Sequence, residues 1–156
     1  MEKKQRTLNN KGFSLIELIV VIAIMAILVG ALAPQYMKFV ERSRKSTDVQ
    51  NVAAIKSALE VYAADPMVTT NALETGKVTI TTTEAAVSAD NATGNGNAAL
   101  AAAGISSLVL KSSKWPATGG NITSYDLEYT VASDGTVKFS ETALTTGYSI
   151  LNGKYN

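Results

Sequence analysis

The sequence predicts an α+β fold in which one long N-terminal helix packs on a small antiparallel β-sheet. Three observations carry that expectation. Leu18 to Ala33 is an apolar run without a single charge; past Pro34 it continues into an amphipathic stretch with helical spacing; and the C-terminal part of the chain alternates apolar and polar residues across a turn signal. The 156 residues are enough for one domain of ordinary size. Hydrophobic residues make up 46% of them, unevenly placed. Outside the apolar run the chain is rich in Ala, Thr, Ser, Asn and Gly, so a modest core is expected. The chain has no Cys and no His. That excludes disulfides, thiolate sites, His-ligated metal and His-based acid–base catalysis. It leaves the compartment open, because an exported protein can do without disulfides.

The first element begins with a charge asymmetry. Residues 1–12 set Lys3, Lys4, Arg6 and Lys11 against Glu2, a net charge of +3, and the remainder of the chain carries −2. A basic flank directly before an apolar run is the positive-inside arrangement and keeps residues 1–12 cytoplasmic. The competing reading, a basic tail that touches nucleic acid, meets a slightly acidic remainder with no basic stripe. From Phe13 to Ala33 there are 21 residues, about 31 Å as a helix, which matches a bilayer core. This stretch includes Glu17, and a carboxylate at membrane depth costs about 2.5–3.5 kcal/mol, which marks it as a functional candidate. A cleaved signal peptide ending at Ala31-Leu32-Ala33 would leave Pro34 as the first mature residue, a poor peptidase substrate, and does not explain Glu17. A plain membrane anchor explains the length and the basic flank but again not Glu17.

Residues 11–17, Lys-Gly-Phe-Ser-Leu-Ile-Glu, together with the apolar run behind them, closely resemble the class III signal of type IV prepilins and type II secretion pseudopilins. The resemblance covers roughly residues 8–40. It implies that Gly12 is the last leader residue and that prepilin peptidase cuts before Phe13 and N-methylates it. It also implies that Glu17 is the family's glutamate and that Pro34 is the proline that kinks the N-terminal helix. The implied organisation is a cleaved leader over 1–12, a transmembrane and filament-core segment over 13–34, and a pilin-like head over 35–156. Within the head, 35–64 is the amphipathic helix, 65–123 a connecting region and 124–156 the antiparallel sheet. The implied partners are copies of the same chain in a helical filament, the prepilin peptidase, an inner-membrane assembly platform, minor pilins and, before assembly, the membrane. No cofactor, metal or small-molecule substrate is implied, and nucleic acid enters only if the filament serves DNA uptake.

These residue types suit those roles. Gly12 has no side chain, so a protease can approach the scissile bond closely; on its own it reads equally as a loop glycine before a helix. Cutting there creates an ammonium on Phe13. Pairing it with Glu17 of a neighbouring chain neutralises both charges and sets the axial register between subunits, whereas a snorkelling Glu17 needs no partner. Ala23, Ala26, Gly30, Ala31 and Ala33 allow close helix approach or are ordinary transmembrane composition. Pro34 removes a helical donor and clashes with the carbonyl four residues back, and Gly30 makes that turn easier to open.

Beyond Pro34, Val49, Val52, Ile55, Leu59 and Tyr62 recur at spacings of three and four and define one helix face. Glu41, Arg42, Arg44, Lys45, Asp48, Lys56 and Glu60 are expected on its polar sides, with Glu41–Lys45 and Lys56–Glu60 one turn apart. Arg42, Arg44 and Lys45 read as a solvated face or as contacts to lipid head groups or acidic groups on a neighbour. Asp65-Pro66 ends the helix near Ala64. Lys77–Thr83 reads as a strand with Val78 and Ile80 inward, Asp90–Gly96 as a loop, and Asn97 as the cap of a short helix closed by Gly104. Trp115-Pro116 and Gly119-Gly120 mark a further loop. Asn91-Ala92-Thr93 and Asn121-Ile122-Thr123 match a glycosylation pattern too short to be specific.

Tyr125, Leu127, Tyr129 and Val131 alternate with polar residues, Asp134-Gly135 signals a type I′ hairpin turn, and Val137 and Phe139 return inward. Tyr148 and Ile150 are expected in a third strand over Gly147–Leu151. Asp126, Glu128 and Asp134 are spread along strand and turn and do not form a calcium loop. Nothing points to catalysis. The functional expectation is a major-type structural subunit of a type IV pilus, anchored in the cytoplasmic membrane and then assembled at the cell surface for adhesion or motility. The alternative is a pseudopilin of a type II secretion or competence machine.

Overall fold

A computed structural model describes residues 12–68, 72–82, 88–90, 95–105, 107–117, 120–142, 144 and 148–154. Residues 1–11, expected as leader, the 91–93 glycosylation pattern, Thr83, Gly119 and Gly147 lie outside them. The chain forms two compact units, one ending at Phe39 and the other beginning at Val40. Helix α1, Leu15–Ala64, runs through both and contains Pro34. It stops where expected: Asp65 precedes Pro66, and its Oδ1 accepts a hydrogen bond from the Met67 amide at 2.8 Å, turning the chain away.

The second unit holds β1 (Gly76–Thr81), β2 (Ser88–Asp90), α2 (Gly96–Ala102), β3 (Pro116–Ala117), β4 (Gly120–Asn121), β5 (Ser124–Val131) and β6 (Val137–Thr142). Four strands form an antiparallel sheet in the order β2-β1-β5-β6, and β3 pairs with β4 alone. Val78 faces Leu127 and Ile80 faces Tyr125 across β1 and β5. The strand expected over Lys77–Thr83 is thus present as β1 and lies in the interior of the sheet. All four of those side chains are buried, as the period-two pattern requires. They close on the α1 face formed by Val52, Ile55 and Leu59, with Trp115 and Ile150 in the same cluster. Trp115, expected in a loop, is fully buried.

Trp115 is held by a polar latch. Asp48, expected on a solvated side of the helix, is fully buried. Its carboxylate accepts hydrogen bonds from the Lys111 amide at 2.6 Å, the Ser112 amide at 3.1 Å and Trp115 Nε1 at 2.9 Å. Lys45 is also buried, its ammonium 5.2 Å from the centroid of the Trp115 ring and 5.8 Å from that of Tyr148. The aromatic faces take the cation out of the basic cluster assigned from sequence. Glu41, one turn from Lys45, reaches the Ser112 hydroxyl and, at 4.0 Å, Arg44. Lys56 lies over the Phe139 ring at 5.4 Å.

Local expectations fared unevenly. Gly104 closes α2 in the left-handed region, with Ile105 N bonded to Leu100 O and Gly104 N to Ala101 O, the Schellman pattern. Asn97 does not cap α2. The cap position is Asn95, whose amide nitrogen donates to Ala72 O at 3.1 Å, and Asn97 lies within the helix. The β5–β6 turn is not type I′. Ala132 N bonds Thr136 O, Gly135 N bonds Ala132 O, and Gly135 is left-handed, which is a three-residue loop with a bulge at the glycine. The expected third strand is a tight loop bridged at Ser149 and Lys154. The amides of Ile150 and Leu151 donate to Glu141 Oε2 at 3.1 and 3.0 Å, so they are withdrawn from any ladder. Tyr125 donates to the same oxygen at 2.9 Å. Burial, the Glu141 charge and this hydrogen bond push the Tyr125 phenol well above its ordinary range.

Because the core lies wholly in the second unit, a chain from Tyr36 to Asn156 is expected to be soluble, monomeric and cooperatively folded. Thermal unfolding followed by circular dichroism checks this, and aggregation without a cooperative transition would contradict it.

Candidate functional site

The residues singled out from sequence lie in the first unit, at the start of α1. Gly12, Phe13 and Ser14 precede the helix in non-helical backbone. The Phe13 side chain is 94% exposed. A Cβ built at Gly12 would meet nothing within 4 Å among the described residues, and its φ is not left-handed. Among the described residues, packing therefore sets no requirement for glycine there.

Helix α1 begins through a local device that the sequence reading passed over. Ser14 stands at the N-cap and Glu17 three residues on, the spacing of a capping box. The Ser14 amide donates to Glu17 Oε2 at 2.8 Å, and Leu18 N bonds Ser14 O at 3.3 Å, the first rung of the helix. The carboxylate also lies in the first turn, where the helix dipole favours negative charge. The signal is legible in the sequence as Ser-x-x-Glu before an apolar run. Phe13 and Glu17 thus lie at the same helix end, on either side of Ser14 in the chain.

From Leu15 to Leu32 the large apolar side chains are exposed. None of the most apolar stretch is buried, and the helix is long and apolar enough to cross a membrane. Such a surface needs lipid or other helices to cover it. Pro34 sits inside α1 and has no N–H for the Gly30 carbonyl four residues back, while Gly30 has open space around it. The pair marks the weakest turn of that stretch. Among the described residues, no three acidic side chains gather into a cation site.

Comparison with known proteins points to the same segment. The prokaryotic N-terminal methylation motif matches residues 7–33. A prepilin peptidase-dependent protein A of Clostridium perfringens is 39% identical over 64 residues, 40% of this chain and 46% of that protein. A fimbrial protein of Pseudomonas aeruginosa is 44% identical over 50 residues, 32% of each chain. The type II secretion system core protein G of Dickeya chrysanthemi is 35% identical over 65 residues, 42% of this chain and 39% of that protein. The matched region thus spans less than half the length of each of these relatives. No solved structure matches the chain. The N-terminal segment bears the signal of type IV pilins and pseudopilins, and the α+β architecture fits the pilin fold.

Proposed function

We propose, from an N-terminal segment of the type IV pilin and pseudopilin family, that this protein is a major-type structural subunit of a type IV pilus. It is a building block rather than an enzyme, and it is itself the substrate of a prepilin peptidase. The observation that carries the reading is the exposed apolar first part of α1, from Leu15 to Leu32, which follows Gly12-Phe13 and carries one carboxylate, Glu17, in its first turn. The helix anchors the chain in the cytoplasmic membrane. After cleavage, Glu17 pairs with the Phe13 ammonium of a neighbouring copy, and the apolar helices bury one another as the filament core. The turn at Gly30 and Pro34 bends or opens to fit that packing. The assembly platform and minor pilins are the expected partners, and the surface filament serves adhesion or motility.

The likeness to a type II secretion core protein keeps a second reading in view, a pseudopilin of a secretion or DNA-uptake machine. Deletion of the gene separates the two. Loss of long surface filaments supports the pilus, whereas loss of secretion or DNA uptake with filaments retained supports the pseudopilus. Processing is tested by intact mass of filament protein from the native host. The expected chain starts at methylated Phe13; a start at Pro34, or an intact Met1 in assembled protein, removes the central claim.

A further inference from the structure

We propose that five cations from three separate segments, Arg42 and Arg44 of α1, Lys111 and Lys114 before β3, and Lys154, form a docking surface for anionic phospholipid head groups. The lipid is that of the membrane in which the chain is anchored, on the face opposite residues 1–12, so the proposal rests on the anchoring reading above. All five side chains are exposed. The polar latch brings their segments together within the second unit. Asp48, one turn after Arg44, accepts the Lys111 amide at 2.6 Å and the Ser112 amide at 3.1 Å. The Lys114 amide in turn donates to the Ser112 hydroxyl at 3.1 Å. Gly153 lies against the same stretch of α1, where an added Cβ would stand 3.6 Å from Val49 Cγ1, and Lys154 is the next residue.

The acidic side chains of these α1 turns do not cancel the patch. Asp48 is fully buried on its three donors. Glu41 has a side chain only 17% exposed; it accepts the Ser112 hydroxyl and lies 4.0 Å from Arg44. Lys45 takes no part, because it is withdrawn over the Trp115 and Tyr148 rings. Residues 40–156 hold nine basic and eleven acidic residues, yet five of the nine gather here. The concentration of positive charge is therefore a property of this patch and not of the head as a whole.

The tether to the membrane selects the partner. Arg42 and Asp48 stand nine and fifteen residues beyond Ala33, where the apolar run ends. That is about 14 and 22 Å measured along a helix. The head-group layer takes up about 5–7 Å of it. The patch is thus held within about one to two Debye lengths of the phosphates at physiological salt, and a bend at the Gly30–Pro34 turn shortens the gap. A phosphodiester offers a negative charge and oxygen acceptors, which suit both the guanidinium fork and the lysine ammonium.

The test places the full chain in nanodiscs of phosphatidylcholine, alone or with about one third phosphatidylglycerol, with a spin label on some head groups. The reporter is the indole proton of Trp115, the one tryptophan of the chain, whose Nε1 is bonded to Asp48. Its paramagnetic relaxation should rise at least about threefold in the anionic discs and fall back in about 0.5 M salt. Lys111→Gln with Lys114→Gln should remove most of the rise, while Lys138→Gln, the same charge change on β6, should leave it intact. An unshifted indole signal shows that the latch survives in each variant. No rise in anionic discs overturns the proposal, as does a rise that salt or the double variant leaves unchanged, or one that Lys138→Gln abolishes equally. Binding of a DNA duplex through these lysines without any lipid response would assign the patch to nucleic acid instead. Filament loss in the double variant without a lipid response would assign it to contacts between copies. A wild-type chain recovered free of the nanodiscs overturns the anchoring reading as well, and that outcome is visible without any variant.

Discussion

Replacing Glu17 with Ala is expected to cut filament yield by at least about tenfold while the chain stays in the membrane and its leader is still removed. Removing a carboxylate from membrane depth relieves about 2.5–3.5 kcal/mol, so insertion is unharmed or improved. The loss falls on assembly. The Phe13 ammonium of the neighbouring copy would be left in a low-dielectric environment without its counter-charge, and stranding one partner of a buried pair costs about 3–5 kcal/mol. Glu17→Asp keeps the charge on a shorter side chain and should be intermediate. Glu17→Gln separates the observed bond of this residue from the proposed charge pairing. It retains an acceptor for the Ser14 amide, now bonded at 2.8 Å, but has no charge, so it should be cleaved and yet assemble poorly. Glu17→Ala should still be processed, because Gly12 and the basic flank are unchanged. The measurement is sheared-filament yield beside membrane abundance and leader processing, with each variant expressed without wild-type subunits. Normal filaments from Glu17→Ala would mean that the carboxylate merely snorkels.

The second large effect is expected in the head. Asp48→Ala strands three buried donors, the Lys111 and Ser112 amides and the Trp115 indole. Each unsatisfied buried group costs about 1–3 kcal/mol, so a loss of at least about 3 kcal/mol of unfolding free energy is expected. Asp48→Asn keeps one oxygen acceptor and should lose less. The latch also carries a pH signature. Burial pushes the Asp48 carboxyl above its ordinary 3.8, and the hydrogen bonds from Trp115, Lys111 and Ser112 only partly offset this. A raised carboxyl pKa means that the folded chain binds the proton more tightly than the unfolded one. The contribution of Asp48 is therefore largest in acid and declines as pH rises from 3.8 through the folded pKa. Urea unfolding of the Tyr36–Asn156 chain across that range, beside Asp48→Asn, reads the difference directly. A wild-type advantage over Asp48→Asn that grows with pH would show that the hydrogen bonds outweigh burial.

Much of this protein could be read from local pattern. The apolar run from Leu18 to Ala33, the end of α1 before Asp65-Pro66, the β5 alternation and the Gly104 helix stop all lie within a few residues of the features they specify. The Ser14–Glu17 cap was equally local and only needed to be looked for. Other features depended on partners far away in the chain. Asp48 and Lys45 have the helical phase of solvated residues, yet they are buried because Lys111, Ser112, Trp115 and Tyr148 come to meet them from more than 60 residues away. Trp115 stands beside a proline, as a loop residue would, and becomes core through that same latch. Glu141 lies at the end of a strand, and its carboxylate binds the Ile150 and Leu151 amides and so makes the C-terminal segment a loop rather than a strand. Periodicity reports which face of an element is apolar; which polar side chain is buried depends on whether distant donors arrive to satisfy it, and only the assembled fold decides that.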